Sequence, residues 1–377
     1  MHDRPPSGSA APVRVAGPAL VLLIGSGAER AAVRAFAPEE VVESDGDLGP
    51  ALEAERVAVV TVERYDAATV RLLVAIAQER DRPVDAVLVG DAAGVTLSRS
   101  RFRSITVADA ASFVVDRVPG AFDHRDLTGP FDVVGDVHGC LDELVALLGR
   151  LGYAVARDDV GRAIGAHHPE GRTAVLVGDL VDRGPDVPGV LRLVMGMLAS
   201  GDGLAVVGNH DDVLRRALLG APVPMDVGLE TSLRQLGRET PAFRQAVADM
   251  IGALPAHLLL DHGRLVVAHA GLEQRYHGHE SARVRSLCLF GPTNGEADAQ
   301  GMPVRLRWAD DYRGRAAVVY GHTPTSGPAW TNRTICVDTG CVLGGALTAV
   351  RYPERTLESV PALAVHSAPP RPFLPAP

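Results

Sequence analysis

Five short motifs rich in aspartate, histidine and asparagine follow apolar runs in the later two thirds of the chain. An apolar run that ends at glycine and a polar residue is typical of a buried strand whose carboxyl end carries a ligand-binding side chain. The motifs are Gly135-Asp-Val-His-Gly139, Gly178-Asp-Leu-Val-Asp-Arg-Gly184, Gly208-Asn-His-Asp211, His269-Ala-Gly271 and Gly321-His-Thr-Pro324. Their strand ends are expected to bring together six side chains: Asp136, His138, Asp179, Asn209, His269 and His322.

These six side chains combine carboxylate, imidazole and carboxamide groups, which suit borderline divalent ions. Two such ions about 3.5–4 Å apart can clamp an in-line displacement at phosphorus. A carboxylate must bridge them, and Asp179 at the middle strand is the natural choice. We therefore expect two divalent metal ions, with manganese as the first choice and iron, nickel, cobalt or zinc as alternatives.

Three further polar residues in the same motifs fit roles at a phosphate group. Arg183 can offer a bidentate guanidinium to phosphate oxygens. His210 is predicted to protonate the leaving oxygen, with Asp182 fixing its tautomer and raising its pKa. Each motif alone has a structural alternative, such as a helix N-cap for Gly208-Asn-His-Asp211. The occurrence of all five motifs in one order, each after an apolar run, favours a catalytic role over these structural alternatives.

The order of the motifs resembles the phosphoprotein-phosphatase branch of the calcineurin-like metallophosphoesterases. Within it, the phosphatase domain of bacterial polynucleotide kinase-phosphatase is the most similar, especially over Trp330–Cys341. The resemblance implies an α/β fold with a central β-sandwich flanked by helices, preceded by a small P-loop-like α/β module. It also implies that the six residues above ligate metal and that Arg183 and His210 contact the phosphate. Asp338 matches a further active-site aspartate; the alternative is a buried turn residue.

Five segments are expected along the chain. They are a disordered N-terminus (1–18), a degenerate P-loop kinase-like module (19–118), a linker (119–130), the metallophosphoesterase domain (131–363) and a proline-rich tail (364–377).

The first module resembles a kinase that has lost its phosphate loop. Gly25-Ser-Gly27 stands at the loop position, and Glu43-Ser-Asp45 and Asp91 match later strand ends. A working loop reads Gly-x4-Gly-Lys-Ser/Thr, but the chain contains no lysine and all of its basic residues are arginine. We expect no kinase activity and a role in packing, dimerisation or partner contact, with nucleotide binding as the alternative.

The resemblance implies a phosphatase that acts on 2′- or 3′-phosphate or 2′,3′-cyclic phosphate ends of RNA or nucleotides. A symmetrical dinucleoside tetraphosphate hydrolase and a Ser/Thr protein phosphatase are alternatives, and a non-catalytic scaffold is an alternative of another class. Arg283 and Arg285 lie in a cation-rich stretch between the last two ligand histidines and are candidate substrate contacts. A solvated surface loop is the other interpretation of that stretch.

Composition excludes several other classes of function. The 46 acidic and 37 basic residues give a formal net charge of −9, which argues against strong binding to duplex nucleic acid. Four cysteines without a C-x-x-C pair indicate reduced thiols and a cytoplasmic location. Because no apolar run approaches about 20 residues, we expect no membrane association.

Overall fold

The computed structural model describes residues 13–16, 19–25, 28–37, 40–42, 48–53, 57–90, 95, 97, 102–108, 115–118, 120–297, 303–369 and 372–374. The chain divides into two compact units. The first is Met1–Gly120 with Gly278–Val284, and the second is Ala121–His277 with Arg285–Pro377. None of the described helices combines the length and the apolar character needed to cross a bilayer.

Short apolar strands alternate with helices in the first unit. The strands are β1 (Val13–Ala16), β2 (Leu20–Ile24), β3 (Val41–Val42), β4 (Ala58–Val62), β5 (Val84–Val89), β6 (Ser104–Ala108) and β7 (Val115–Val118). The helices are α1 (Ala28–Ala35), α2 (Leu48–Glu53) and α3 (Ala67–Glu79). Strands β3, β4, β2, β5 and β6 form a parallel sheet in that order, and β1 pairs in parallel with β7.

Strand β2 is a continuous apolar run because the helices that connect parallel strands cover both faces of such a sheet. All five of its side chains are buried, as expected for a central strand covered on both faces. Several residues on which the kinase resemblance depends lie outside the described part of the chain, namely Ser26, Gly27, Glu43-Ser-Asp45 and Asp91. The kinase-like identity of this unit therefore stays a prediction.

Three segments expected to be disordered, linking or extended carry ordered structure in part. Within 1–18, strand β1 buries Val13 and Val15, and residues 1–12 lie outside the described range. Within 119–130, Phe122 is buried and stacks on His257. In the tail, Leu374 forms a β-bridge with Thr325, while 370–371 and 375–377 are not described. Buried apolar side chains account for the order in the first two segments, and backbone pairing accounts for it in the tail.

The second unit contains 16 strands and seven helices among its described residues, with α9 crossing into the first unit's segment. The strands are β8 (Asp123–His124), β9 (Phe131–Val134), β10 (Ala154–Arg157), β11 (Ala163–His167), β12 (Thr173–Leu176), β13 (Gly203–Ala205), β14 (His257–Leu260), β15 (Leu265–Ala268), β16 (Thr293–Ala297), β17 (Pro303–Arg305), β18 (Ala317–Tyr320), β19 (Trp330–Thr331), β20 (Thr334–Cys336), β21 (Asp338–Thr339), β22 (Ala346–Tyr352) and β23 (Thr356–Pro361). The helices are α4 (Leu141–Leu151), α5 (Val187–Ser200), α6 (Asn209–Leu218), α7 (Val227–Leu236), α8 (Pro241–Ala253), α9 (Ala282–Phe290) and α10 (Trp308–Asp311).

Two six-stranded sheets form the centre of this unit. Sheet I has the order β13-β12-β9-β22-β21 with β23 on the far side of β22, and sheet II has the order β19-β20-β18-β15-β14-β8. Side chains of both sheets share one buried apolar cluster, which includes Val133 and Val175 from sheet I and Val267 and Val319 from sheet II. The predicted central β-sandwich is therefore confirmed.

Helices α4 and α5 cover the outer face of sheet I. Leu144 and Leu148 of α4 and Val190 and Val194 of α5 join the buried cluster that contains Leu176 of β12. The Asp186 side chain caps α5 by accepting a hydrogen bond from Gly189 N at 2.9 Å. These helices fix the positions of the strands whose ends carry the polar motifs.

Candidate active site

The strand ends that carry the polar motifs meet at one edge of the sandwich. Strands β9, β12 and β13 run parallel in sheet I and precede Asp136, Asp179 and Asn209, respectively. Strands β15 and β18 run parallel in sheet II and precede His269 and His322. The two edges touch, because His322 N donates a hydrogen bond to Asp136 Oδ2 at 3.0 Å.

The backbone at this edge is strained. Positive φ angles occur at His138 (45°), Asp179 (48°), Asp182 (74°), Arg183 (69°) and His322 (72°). Such left-handed conformations are costly for residues other than glycine and concentrate where side chains must be aimed precisely. Close packing also explains one motif glycine, since a Cβ at Gly208 would lie 2.2 Å from Asp179 Oδ1.

The Asp179 carboxylate lies at the centre of the predicted ligand set. Its Oδ2 is 3.6 Å from His138 Nε2 and 3.4 Å from His269 Nε2. His269 Nε2 in turn lies 3.0 Å from both Asn209 Oδ1 and His322 Nδ1. All six residues predicted from the motifs are thus brought together.

Backbone carbonyls orient two of the imidazoles. His138 Nδ1 lies 2.7 Å from Val181 O, and His269 Nδ1 lies 3.0 Å from Val177 O. In the neutral form of each ring this contact places the proton on Nδ1, which leaves the Nε2 lone pair available to a cation beside Asp179. Metal-ligating histidines are commonly fixed by a second hydrogen bond of this kind.

Three buried carboxylates, those of Asp136, Asp179 and Asp338, share this region. Burial, and then the charge of Asp338, raise the pKa of Asp136 well above 3.8. Burial likewise raises the pKa of Asp338 to about 6. The pKa of Asp179 would also rise through burial, but His269 and His210 hold it well below 3.8. Asp179 in return raises the pKa of His269 to about 9 against the effect of burial. Negative charge concentrated in this way is the environment that a cation stabilises.

The side chains present fit a pair of divalent cations. Two groups of candidate ligand atoms share Asp179: one adds His269 and His322, and the other adds His138 and His210. Nε2 of His322 is buried and has no hydrogen-bond partner in the described part of the chain. Mixed oxygen and nitrogen donors of this kind suit borderline divalent metals.

His210 is bound differently from the other imidazoles in the set. Its Nδ1 lies 2.6 Å from Asp182 Oδ2, so the proton on Nδ1 is directed at that carboxylate. Its Nε2 accepts a hydrogen bond from Arg183 Nη2 at 2.9 Å, and Arg183 Nη1 donates to His138 Nε2 at the same distance. Burial lowers the pKa of His210, but Asp179 and the hydrogen bond to Asp182 raise it above 6.5. This geometry favours proton transfer over metal ligation for His210.

Asp182 has a second hydrogen-bond partner that sequence reasoning missed. Ser232 Oγ, on helix α7, donates to Asp182 Oδ1 at 2.5 Å, and Asp182 N donates to Ser232 Oγ at 2.9 Å. Both side chains are buried. No spacing signal links the two residues, because they are 50 positions apart.

A cavity of about 160 Å³ opens onto these residues. Asp179, Arg183, His210 and Asp338 contribute to its polar side, which places the predicted Asp338 at the site. Arg305 and Phe373 also line the cavity, although the motifs did not single them out as functional. Arg305 follows a motif-like Gly-Met-Pro-Val run, which is the one sequence signal that could have drawn attention to it.

The structure gives the two predicted substrate-contact arginines other surroundings. Arg285 Nη2 forms an ion pair with Asp212 Oδ1 at 2.7 Å, and Arg285 is absent from the described lining of the cavity. Arg283 lies in Gly278–Val284, the segment that packs with the first unit. Direct substrate contact by either residue stays a prediction.

Comparison with known proteins agrees with this geometry. The family model described as calcineurin-like phosphoesterase matches residues 129–342. Bis(5′-nucleosyl)-tetraphosphatase PrpE [asymmetrical] of Anoxybacillus flavithermus is 41% identical over 236 residues, covering 62% of this chain and 94% of the relative. The proteins of the same name from Geobacillus thermodenitrificans and Bacillus subtilis are each 42% identical, covering 62% of this chain and 95% and 94% of the relative.

These comparisons confirm the predicted calcineurin-like phosphoesterase family and correct the narrower resemblance predicted within it. The predicted resemblance to polynucleotide kinase-phosphatase does not hold at that level, because the relatives are named as tetraphosphatases. The chain belongs to the calcineurin-like phosphoesterases and is a metal-dependent phosphoric ester hydrolase.

Proposed function

We propose that the chain hydrolyses dinucleoside tetraphosphates asymmetrically, into a nucleoside monophosphate and a nucleoside triphosphate. The observation that carries the proposal is the identity of 41–42% over nearly the whole length of relatives named as asymmetrical bis(5′-nucleosyl)-tetraphosphatases. The resemblance to polynucleotide kinase-phosphatase implied RNA or nucleotide phosphate ends as the substrate. The relatives favour the tetraphosphate alternative, and an asymmetrical cleavage in place of the symmetrical one expected.

The charges around the cavity support a polyphosphate substrate. Arg183 and Arg305 both line the cavity. Guanidinium groups bind phosphate oxygens through paired N–H donors, and two of them can hold neighbouring phosphoryl groups of one bridge. A single phosphomonoester needs fewer cationic contacts than a four-phosphate bridge does.

Asp136, His138, Asp179, Asn209, His269 and His322 would hold two divalent ions, with manganese as our first choice. When bound, these ions supply Lewis-acid stabilisation of the phosphoryl group under attack. Arg183 binds the non-bridging oxygens of that group. His210 is held by Asp182 through Nδ1, and its raised pKa favours the imidazolium form, which carries a second proton on Nε2 once Arg183 Nη2 turns from that nitrogen to the phosphate oxygens. That proton passes to the departing phosphate oxygen as the P–O–P bond breaks, while the attacking water forms the new P–O bond and releases its own proton to solvent.

The experiment compares substrates that the competing functions would select. Purified protein with manganese receives a dinucleoside tetraphosphate, a 3′-phosphorylated RNA, a 2′,3′-cyclic phosphate and a phosphopeptide. We expect the dinucleoside to give the highest kcat/KM, with mono- and triphosphate products in equal amounts. Two diphosphate products would indicate symmetrical cleavage. Preference for the RNA ends would contradict the proposal and favour the substrate that the resemblance to polynucleotide kinase-phosphatase implied. Turnover of none of the four substrates would favour a non-catalytic scaffold.

A further inference from the structure

A short piece of the C-terminal tail, Pro372–Leu374, is fixed beside the candidate active site. Leu374 N donates a hydrogen bond to Pro324 O at 3.0 Å, and Ser326 N donates to Leu374 O at 2.8 Å. Pro324 ends the motif that contains His322. The tail is therefore held by the same loop as one of the predicted metal ligands.

The ring of Phe373 lies on a glycine turn that follows Asp338. A Cβ at Gly340 would lie 2.5 Å from the Phe373 ring, and the φ angle of Gly340 is +67°. A larger residue there would collide with the ring and also strain the backbone. The absence of a side chain at Gly340 therefore makes room for the Phe373 ring.

Phe373 also lines the catalytic cavity, with Pro324 and Leu343 on its apolar side. The cavity therefore has one charged side suited to phosphate and one apolar side that phosphate does not need. About 160 Å³ is open with the tail in place, so the tail forms a wall of the cavity and does not fill it. Phe373 is only partly buried, which leaves ring surface for a ligand.

We propose that Phe373 is a substrate-binding residue that stacks against the base of the nucleoside attached to the reacting phosphate. Aromatic rings beside phosphate-binding groups accept any nucleobase, because every base presents a π-face. The inference rests on the proposed function for the identity of the substrate as a nucleotide. It assigns a binding role to a segment outside residues 129–342, which the family model matches.

The test measures binding of adenosine 5′-monophosphate and of inorganic phosphate by calorimetry, with manganese present. Because stacking of a base on an aromatic ring strengthens nucleotide binding, Phe373→Ala should raise the Kd for the nucleotide roughly tenfold. The Kd for phosphate should change much less. Phe373→Tyr should restore nucleotide binding. Leu374→Ala shortens an exposed side chain in the same segment and serves as the matched control.

Kinetics provide a second readout, as the ratio of kcat/KM for a dinucleoside tetraphosphate to that for inorganic tripolyphosphate. Phe373→Ala should lower this ratio about tenfold, mainly through KM. An unchanged ratio would overturn the proposal. Equal losses on both substrates would then show a purely structural tail, equal gains would show an inhibitory strap, and no change on either substrate would show that Phe373 does not contact them. If the dinucleoside is not hydrolysed but Phe373→Ala selectively weakens monophosphate binding, the proposed function fails and the base site stands.

Discussion

His210 Nδ1 lies 2.6 Å from Asp182 Oδ2, which fixes the tautomer and the plane of the imidazole at the cavity. The opposite ring nitrogen, Nε2, meets Arg183 at 2.9 Å, so the ring joins a buried carboxylate to the group that we expect to bind phosphate. Asp182 is itself held by Ser232. The hydrogen bonds that join Ser232, Asp182 and His210 therefore fix the direction in which His210 Nε2 faces Arg183.

Asp182→Asn should lower kcat by roughly 10² to 10⁴ with little change in KM, because an amide can stabilise the wrong imidazole tautomer. Initial rates over a range of dinucleoside concentrations measure both constants. Ser232→Ala is the matched control: it removes one hydrogen bond to Asp182 but keeps the carboxylate, and should cost about tenfold or less. Equal losses in the two variants would place the effect in the local fold instead of in the orientation of His210.

Asp179→Asn should remove most of the bound metal and most of the activity, because Asp179 is the carboxylate shared by both groups of candidate ligands. His210→Ala should lose activity while keeping the metal, since its Nδ1 is already engaged by Asp182. Metal content after dialysis, measured by mass spectrometry, separates the two cases. Equal metal loss in both variants would make His210 a ligand and contradict its assignment as the proton donor.

Arg183→Lys should behave more like Arg183→Ala than like the wild type. The guanidinium donates to His138 and His210 through two separate nitrogens at 2.9 Å, and a single ammonium cannot reproduce that fork. We expect kcat/KM to fall about 10²-fold in both variants. Arg162→Lys, at a surface ion pair with Asp158, provides a matched control. Full activity in Arg183→Lys would show that only the positive charge of Arg183 is needed and would contradict a requirement for the guanidinium geometry.

The strand ends of the site could be predicted from sequence, whereas its supporting and apolar parts could not. An apolar run before a motif marks a buried strand, and parallel strands bring their carboxyl ends to one edge, which is how Asp136 and His322 come into contact. Ser232 lies on a helix reached by 50 residues of chain from Asp182. Phe373 follows a proline-rich stretch whose composition suggests exposure. Long-range packing alone determines both positions.

We expect no transfer of phosphate from ATP to a 5′-hydroxyl oligonucleotide. Strand β2 ends at Ile24 and helix α1 begins at Ala28, which is too short for the Gly-x4-Gly-Lys-Ser/Thr loop. Ala31 and Ala32 are buried in α1 and carry no hydroxyl that could ligate magnesium. An isotope-transfer assay with labelled ATP, run beside an active 5′-kinase, tests this. Transfer by the purified chain would return a catalytic role to the first unit.

The buried carboxylate of Asp261 should make the stability of the second unit depend on pH. Asp261 follows strand β14 and accepts hydrogen bonds from Tyr352, on strand β22, and from Arg264, each at 2.5 Å. Burial alone would raise the pKa of Asp261, but the bonds from Arg264 and Tyr352 hold it below 3.8. Because the folded pKa lies below the unfolded one, the stabilisation is present above about pH 4 and is lost as the pH falls through the folded value.

Asp261→Asn keeps the size of the side chain and suits the left-handed backbone, since φ at Asp261 is 50°. It should lower the free energy of unfolding at pH 7 by about 1–3 kcal/mol, the contribution expected of hydrogen bonds to a charged group. Thermal unfolding followed by circular dichroism at pH 7, 5 and 3 measures the difference from wild type, which should shrink at the lowest pH. Asp158→Asn, at a surface pair with Arg162, should shift Tm less, because exposed ion pairs contribute little. A constant difference between Asp261→Asn and wild type at all three pH values would mean that the ionised form of Asp261 is not what stabilises the fold.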